Sequence, residues 1–514
     1  MNLTPELEKL KDEIEGYVRS YGLDSFEIIF QILDFDKLNE VASYGGFPTR
    51  YPHWRHGMEY EQLQKAYAYG LQKIYELVVN TDPTYAYLLE CNEIVDQKLV
   101  MAHVYGHSDF FKNNQWFSKT YRKMMDEIAN HGVRIRQFIE RYGEDNVEGF
   151  IDCCLSLEHL IDYHSPFIQR TEETYEYDFE DENCLCEKKG IKKIKSKDYM
   201  DDFINPKEFI QEQKDRFKEE AKKKKKFPEN PEKDILLFLI EHAPVENWKK
   251  EILSIIREES YYFAPQAQTK IMNEGWASYW HSKILTQKCL KDSELIDYAD
   301  HHSGTMGVRP GGINPYKIGV ELFRDIEERW NKGKFGKEYE ECDNLAEKKN
   351  WDKKLGLGIE KIFEVRKIYN DIGFIDTFLT EEFCDSHKLF TYQFNERNKN
   401  YEISSRHFKE IKSKLLFSLT NMGQPLIYAE DGNYENKGEL YLKHRHNGID
   451  MKIDYAKDTV SNVQKIWRRP VHLETVLNGK ETLFSFNGSE HREREIGLKT
   501  FHPFHGLPNA GGIF

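Results

Sequence analysis

The sequence predicts a mostly α-helical protein that ends in a small α+β domain. Up to about residue 380, long stretches place apolar residues at steps of three and four, which is the spacing of one helix face. Residues 172–232 interrupt this pattern with an acidic stretch and five consecutive lysines, Lys222–Lys226. Beyond residue 380, short strand-like runs alternate with Asn-Gly pairs, which favour hairpin turns. These three observations define the predicted fold class.

The same changes divide the chain into five predicted segments. They are a first part of the helical body (1–171), a charged insertion or linker (172–232), a second part of the body (233–380), the α+β domain (381–490) and an irregular tail (491–514). In the first part, residues 5–35 and 58–80 have helical spacing. Between them, Pro and Gly exclude regular structure in the aromatic loop of residues 44–56.

The predicted α+β domain combines strands, hairpins and two helices. Asn447-Gly448 and Asn478-Gly479 are typical of tight hairpin turns between antiparallel strands. Helical spacing covers residues 404–421 and 459–467, so helices are expected there. A sheet with helices beside it is therefore expected at this end of the chain.

Composition and charge exclude several classes of protein. The 514 residues carry 73 basic and 88 acidic side chains, a net charge of −15, which disfavours a general nucleic-acid binder. No run approaches the roughly 20 apolar residues of a membrane span. The N-terminal residues are amphipathic and acidic, whereas a signal peptide would have an apolar core. We therefore expect a cytoplasmic protein.

Two histidines continue an apolar helix face. Val95, Leu99, His103 and His107 follow one another at steps of four and so share one side of a helix. The spacing alone carries little weight, because a chain with 19 His produces such pairs by chance. Their location carries more, since a buried imidazole needs a partner for each ring nitrogen. A metal ion or core hydrogen bonds would both meet that need.

A carboxylate on a second apolar helix adds to this pattern. Pro265 is expected to open that helix, and Glu274 lies on its buried face with His281 two turns further on the same side. A carboxylate there must be paired, protonated or bound to a metal. His103, His107 and Glu274, with His281 as a candidate fourth ligand, would make an N/O metal site. A buried His–Glu hydrogen-bonded network is the alternative.

The chemistry of such a site is incomplete in one respect. In a His-Glu-x-x-His helix the Glu after the first His acts as the general base, and here that position is Val104. For hydrolysis another carboxylate would have to act, and Glu158 and Asp109 are the candidates, with His164 to stabilise an oxyanion. Further candidates for a polar site are His301, His302 and Arg55. Adjacent histidines on a helix point about 100° apart, so His301 and His302 would serve different partners.

Long aromatic-rich blocks occur along nearly the whole chain, including YGGFPTRYPHWRHGMEYE, QKLVMAHVYGHSDFFKNN, MNEGWASYWHSKI, NPYKIGVELFRDIEERW and IWRRPVHLETV. These blocks resemble the stage V sporulation protein R family. The family is named for a role in spore cortex formation. The resemblance implies a sporulation protein, and the family name supplies a process rather than a reaction.

A more distant resemblance concerns the metal site. Glu274-Gly275-Trp276-Ala277 is similar to the Glu-Gly-hydrophobic-Ala segment of gluzincin-type helical zinc peptidases, in which this Glu is the third zinc ligand. His103 and His107 match the spacing of their two histidines. The resemblance implies a helical metallopeptidase scaffold and zinc as the cofactor. Val104 departs from the pattern at the position of the base.

Two functions are compatible with the sequence. The first is a zinc-dependent hydrolase that acts on a protein or peptide, or on cell-wall-type amide bonds. The second is a non-catalytic scaffold or regulator in sporulation, in which the His/Glu cluster is structural. Metal content and turnover on amide substrates distinguish them.

Overall fold

The structure is a computed structural model that describes residues 3–69, 73–168, 227–308, 312–395 and 397–498. Of the predicted insertion at 172–232, only residues 227–232 are among them, and the predicted tail is described up to residue 498. The chain forms two compact units. The first comprises the described residues up to His159 together with Glu246–Pro425, and the second those of Leu160–Val245 and Leu426–Thr500.

The described residues are mostly helical. The helices before the insertion are α1 (Pro5–Ser20), α2 (Phe35–Ser43), α3 (Trp54–Ala68), α4 (Ile94–Asn113), α5 (Met124–Tyr142) and α6 (Glu144–Leu155). After it come α7 (Ile235–His242), α8 (Asn247–Gln268), α9 (Lys270–Ile284), α10 (Leu295–Thr305), α11 (Pro315–Lys332), α12 (Lys337–Glu340), α13 (Leu345–Lys349), α14 (Gly358–Ile368), α15 (Asp371–Phe378), α16 (Glu381–Ser386), α17 (Phe408–Leu419) and α18 (Ile453–Trp467).

The strands form three separate sheets. One sheet has the order β1-β3-β2, from β1 (Ile28–Leu33), β2 (Glu76–Val79) and β3 (Thr84–Leu89). A two-stranded ribbon pairs β4 (Thr391–Asn395) with β5 (Asn400–Ser405). The third has the order β10-β9-β8-β7-β6, from β6 (Ile427–Tyr434), β7 (Glu439–His444), β8 (Val471–Leu477), β9 (Lys480–Phe486) and β10 (His491–Leu498). The mostly helical class with a sheet-rich C-terminal part is thus confirmed.

The small N-terminal sheet corrects the helical interpretation of residues 5–35 and 58–80. Helix α1 ends at Ser20, and the run Ile28–Leu33 forms β1, which pairs in parallel with β3. Alternate residues of β1 are buried, and the run is rich in Ile, which suits a pleated, half-buried strand. Because the run is only six residues long, its apolar spacing could not separate helix from strand.

One of the two predicted hairpins is confirmed and the other is wrong. Asn478 and Gly479 have φ values of 50° and 78° and join β8 to β9 in antiparallel pairing. The chain after Asn447-Gly448 enters no strand but continues into α18. The reason is that β7 and β8 are parallel, and parallel neighbours need a crossover connection, which α18 provides. In addition, β10 occupies residues 491–498, where no regular structure was predicted.

The core of the first unit forms around α4 and α9. Every residue of α4 from Val100 to Phe111 is buried, as are nearly all residues of α9. Contrary to the prediction, Pro265 lies inside α8, and α9 begins separately at Lys270. The carboxylate of Asp371 accepts hydrogen bonds from the first backbone N–H groups of α9, at 2.8 Å from Ile271 and 2.9 Å from Met272. No helix of the described residues is long and apolar enough to cross a membrane.

Candidate metal centre

Small residues allow α9 to approach both of its neighbours closely. A Cβ added to Gly106 of α4 would lie 2.7 Å from the Cα of Ala277, and one added to Gly275 would lie 2.4 Å from the carbonyl carbon of Gly319 in α11. Such contacts are possible only because no larger side chain intervenes. In the segment Glu274–Ala277, Gly275 therefore faces α11 and Ala277 faces α4. The segment therefore packs α9 against its two neighbours and also contains the carboxylate of Glu274.

This packing brings the two predicted histidines and the predicted glutamate together. Oε2 of Glu274 lies 3.5 Å from Nε2 of His103 and 3.5 Å from Nε2 of His107. One ligand atom from each of the three residues lies within 4.8 Å of the others. Ligands bound at about 2.1 Å in a tetrahedral site are separated by about 3.4 Å. The three side chains thus form a group that could hold a metal ion.

The other nitrogen of each imidazole already has a partner. Nδ1 of His103 lies 2.9 Å from Nδ1 of His281, and Nδ1 of His107 lies 2.9 Å from Oδ1 of Asn273. Metal-binding histidines are commonly oriented in this way through the nitrogen that does not bind the ion. Both Nε2 atoms are consequently left to face Glu274, whose buried Oε2 makes no hydrogen bond.

The position of His281 differs from that of a fourth ligand. Its Nδ1 faces the rear of the His103 ring rather than Glu274, and its Nε2 lies 3.5 Å from Nδ1 of His302. Burial and the neighbouring imidazole of His103 hold the pKa of His281 well below its usual range. Nδ1 of a neutral His281 can accept a hydrogen bond from the Nδ1–H group of His103. His281 thus orients a candidate ligand.

The electrostatics favour a neutral imidazole and an ionised carboxylate at the centre. Burial, reinforced by His103, lowers the pKa of His107 to about 4. Burial would raise the pKa of Glu274, but interactions with His107, His103 and Tyr316 hold it below its usual range. These are the protonation states in which imidazole and carboxylate bind metal ions.

Two polar residues at this centre were missed in the sequence. Tyr316 of α11 interacts with Glu274, and its ring stacks on His103 with centroids 6.2 Å apart. Glu76 of β2 interacts electrostatically with His103 and Glu274, and burial raises its pKa to about 7. Tyr316 stands in the quoted block that begins NPYK, which was a usable signal. Glu76 belongs to no motif, and only the β2–β3 pairing places it.

The histidines of α10 contact two different partners, as their separation predicts. His301 pairs with Asp96 near the start of α4, and His302 with His281. Asp96 is buried and also acts on the pKa of Glu76. His301 and His302 therefore belong to the polar surroundings of the centre.

The three candidate catalytic residues lie elsewhere. Asp109 is fully buried, and its carboxylate binds Nη1 of Arg366 at 2.5 Å and Nε1 of Trp276 at 2.8 Å. Two residues along a helix correspond to about 200° of rotation, so Asp109 leaves α4 on the side opposite His107. Glu158 lies 3.7 Å from Arg55, and His164 is an exposed residue of the second unit.

Comparison with known proteins identifies the family. The family described as SpoVR like protein matches residues 2–424, and the SpoVR-like C-terminal domain matches residues 425–478. The chain belongs to this family. Membership suggests a sporulation-related protein. A relative from Escherichia coli (strain K12), named "Uncharacterized protein YcgB", is 29% identical over 495 residues, which cover 90% of each chain.

No solved structure matches the chain. The likeness to gluzincin-type peptidases therefore rests on the residues of the site alone. The same is true of zinc as the metal.

Proposed function

We propose that the first unit is a zinc-dependent, hydrolase-like enzyme whose metal ion is held by His103, His107 and Glu274. One observation carries the proposal. A buried carboxylate oxygen without a hydrogen bond faces two imidazole Nε2 atoms at 3.5 Å each. That distance is long for a hydrogen bond, and it matches the separation between two ligand atoms of a tetrahedral metal site. A hydrogen-bonded network would bring these atoms closer together.

The reaction proposed is hydrolysis of a peptide or cell-wall-type amide bond in a sporulation-related process. A zinc ion, when bound, would polarise the carbonyl and lower the pKa of a coordinated water. Val104 cannot accept a proton from that water. Glu76 is our candidate for this role, because it interacts electrostatically with His103 and Glu274 and its pKa of about 7 suits a base near neutral pH. Asp109 suits the role of base less well, since its carboxylate already accepts hydrogen bonds from Arg366 and Trp276.

A second candidate function is that of a non-catalytic scaffold in which the metal is structural. The observation that favours it is Val104, which stands where zinc peptidases have the general base. Against it, a structural zinc site commonly has four protein ligands, whereas His281 lies behind His103 and leaves only three protein ligands at the centre. Both functions predict a bound metal, and only the first predicts turnover.

Metal content is the first test. The full chain, purified without a metal-affinity tag, should contain about one zinc at this centre by mass spectrometry. His103→Ala and Glu274→Gln should each lose it, and His407→Ala, at an exposed histidine of the same unit, should retain it. A chelator should lower the melting temperature of the wild type by more than that of His103→Ala. A total zinc content that is the same in both site variants as in the wild type would refute the proposed ligands.

Turnover is the second test. Wild-type protein loaded with zinc is assayed on a library of peptides and amidated cell-wall fragments, beside Glu76→Gln. Cleavage by the wild type that falls by about 100-fold or more in Glu76→Gln, with metal content unchanged, supports the enzyme and its base. Retained zinc without cleavage of any substrate favours the scaffold. Equal cleavage by both proteins would remove Glu76 from the mechanism.

A further inference from the structure

A second group of potential metal ligands lies where α5 meets α8, away from the helices of the first centre. Glu127 and His131 are one turn apart on α5, and Glu258 is on α8. Nε2 of His131 lies 3.6 Å from Oε1 of Glu127 and 3.5 Å from Oε2 of Glu258. One ligand atom from each residue lies within 4.8 Å of the others. The spacing is therefore similar to that of the first centre.

The state of His131 distinguishes this group from an ordinary acidic cluster. Its side chain has no exposed surface, and its Nε2 makes no hydrogen bond. Its Nδ1 lies 3.2 Å from Oε1 of Glu259, which in turn is paired with Arg50. A carboxylate that holds one imidazole nitrogen while the other nitrogen faces further ligands is the arrangement found around metal-binding histidines.

We propose that Glu127, His131 and Glu258 bind a divalent first-row transition metal ion, such as Zn²⁺ or Mn²⁺. One imidazole and two carboxylates form a mixed N/O donor set that suits these ions. The Glu258 side chain is 47% exposed, so an ion can reach the group from solvent. This site is independent of the centre on α4 and α9.

The site would also give a role to the aromatic loop, which ends at His53 and not at residue 56 as predicted, because α3 begins at Trp54. Arg50 comes from this loop and pairs with Glu259. Nη1 of Arg50 also donates a hydrogen bond to the backbone carbonyl of Tyr44, at 3.0 Å. The backbone of the loop lies against α5, since a Cβ on Gly132 would be 3.5 Å from the carbonyl carbon of Arg50. Arg50 is thus a positioning residue, which acts on the site through Glu259 and His131.

A proton is the competing explanation for this cluster. Burial would lower the pKa of His131, but the carboxylates of Glu258 and Glu259 raise it to about 9. A protonated imidazole would then be the cation that faces them. Arg134 also lies 3.3 Å from Oε1 of Glu127 and supplies positive charge. Direct measurement of metal binding separates the two explanations.

The experiment measures Zn²⁺ and Mn²⁺ binding to the full chain by equilibrium dialysis and mass spectrometry, in a His103→Ala background that removes the first centre. The test variant adds Glu258→Gln, a change at a half-exposed side chain that preserves shape. The matched control adds Glu251→Gln, on the same helix and with a side chain 42% exposed. A third variant adds His131→Gln. Circular dichroism checks that each variant is folded.

We expect about one ion per chain in the His103→Ala background and in the Glu251→Gln control. Glu258→Gln should weaken this binding about tenfold or more, and His131→Gln should do the same. If His131→Gln fails to fold, Glu258→Gln decides the matter. Absence of binding in the background, or binding that Glu258→Gln leaves unchanged, would overturn the proposal and leave the protonated imidazole as the explanation.

Discussion

Replacement of Gly275 by Ala tests whether helix packing sets the position of Glu274. The new Cβ would lie 2.4 Å from the carbonyl carbon of Gly319 and 2.9 Å from the nitrogen of Val320, where ordinary contact begins at about 3.4 Å. Both clashing groups are backbone and cannot rotate away, so α9 and α11 must separate by about 1 Å. Such overpacking costs about 3 kcal/mol, at the upper end of its usual range.

Part of this cost is offset by the helix itself, because Ala is favoured over Gly in a helix interior by about 1 kcal/mol. The net loss of unfolding free energy should therefore be about 2 kcal/mol. The matched control is Gly149→Ala in α6, where an added Cβ meets nothing within 4 Å. That variant should gain up to about 1 kcal/mol, so the two substitutions differ in sign.

Urea unfolding followed by tryptophan fluorescence measures both variants, since Trp276 and Trp280 are buried in α9 and report on its packing. Zinc affinity should also fall in Gly275→Ala, because Tyr316 on α11 would move away from Glu274. If Gly275→Ala unfolds at the same urea concentration as the wild type or at a higher one, the close approach of the two helices does not determine the site and the reasoning fails.

Three further predictions concern single contacts. His281→Ala should weaken zinc binding by about 10- to 100-fold in competition dialysis. His281→Asn should retain more of the affinity, because its amide oxygen can still accept a hydrogen bond from His103, and equal affinities of the two variants would contradict the orienting role. Arg366→Met should lower the unfolding free energy, measured in urea, by about 3–5 kcal/mol because it leaves the buried Asp109 carboxylate without its ion-pair partner. The double variant with Asp109→Asn should recover part of this loss, and a double variant as unstable as Arg366→Met would argue that the ion pair is not the cause. Burial lowers the pKa of His444 to about 4, so the unfolded chain binds the extra proton first and the unfolding free energy should fall by about 3 kcal/mol between pH 6.5 and pH 4. His444→Asn should flatten this slope, and an unchanged slope would assign it to other groups.

Helix periodicity located the candidate ligands but not all of their surroundings. The steps of four from Val95 to His107 predicted one face of α4, and the structure places both histidines on it. Glu274 was found because a carboxylate on an apolar face is costly without a partner. The hydrogen bond between His103 and His281 was not predicted, since the sequence indicated His281 only as a candidate fourth ligand. The relative rotation of α4 and α9 decides that His103 is a candidate ligand and that His281 orients it.

The missed features depend on contacts between segments distant in sequence. Glu76 interacts electrostatically with His103 and Glu274, and its position depends on the pairing of β2 with β3, which precedes α4; no local pattern marks it. The parallel pairing of β7 with β8 overruled the turn signal at Asn447-Gly448 for the same reason. Turn chemistry predicts a hairpin only where the neighbouring strand is antiparallel. Local signals were reliable for α4 and for the turn at Asn478-Gly479, and failed where sheet topology decided the outcome.

The segment Glu274–Ala277 unites packing and chemistry in one turn of helix. Gly275 lets α11 approach, and Ala277 with Gly106 lets α4 approach, so the carboxylate between them meets two imidazoles rather than solvent. If the site served packing alone, an apolar residue at position 274 would be cheaper than a buried carboxylate whose oxygen lacks a hydrogen bond. The retained charge therefore needs a cation opposite it. A metal ion is the cation that we propose, since one ligand atom from each of His103, His107 and Glu274 lies within 4.8 Å of the others.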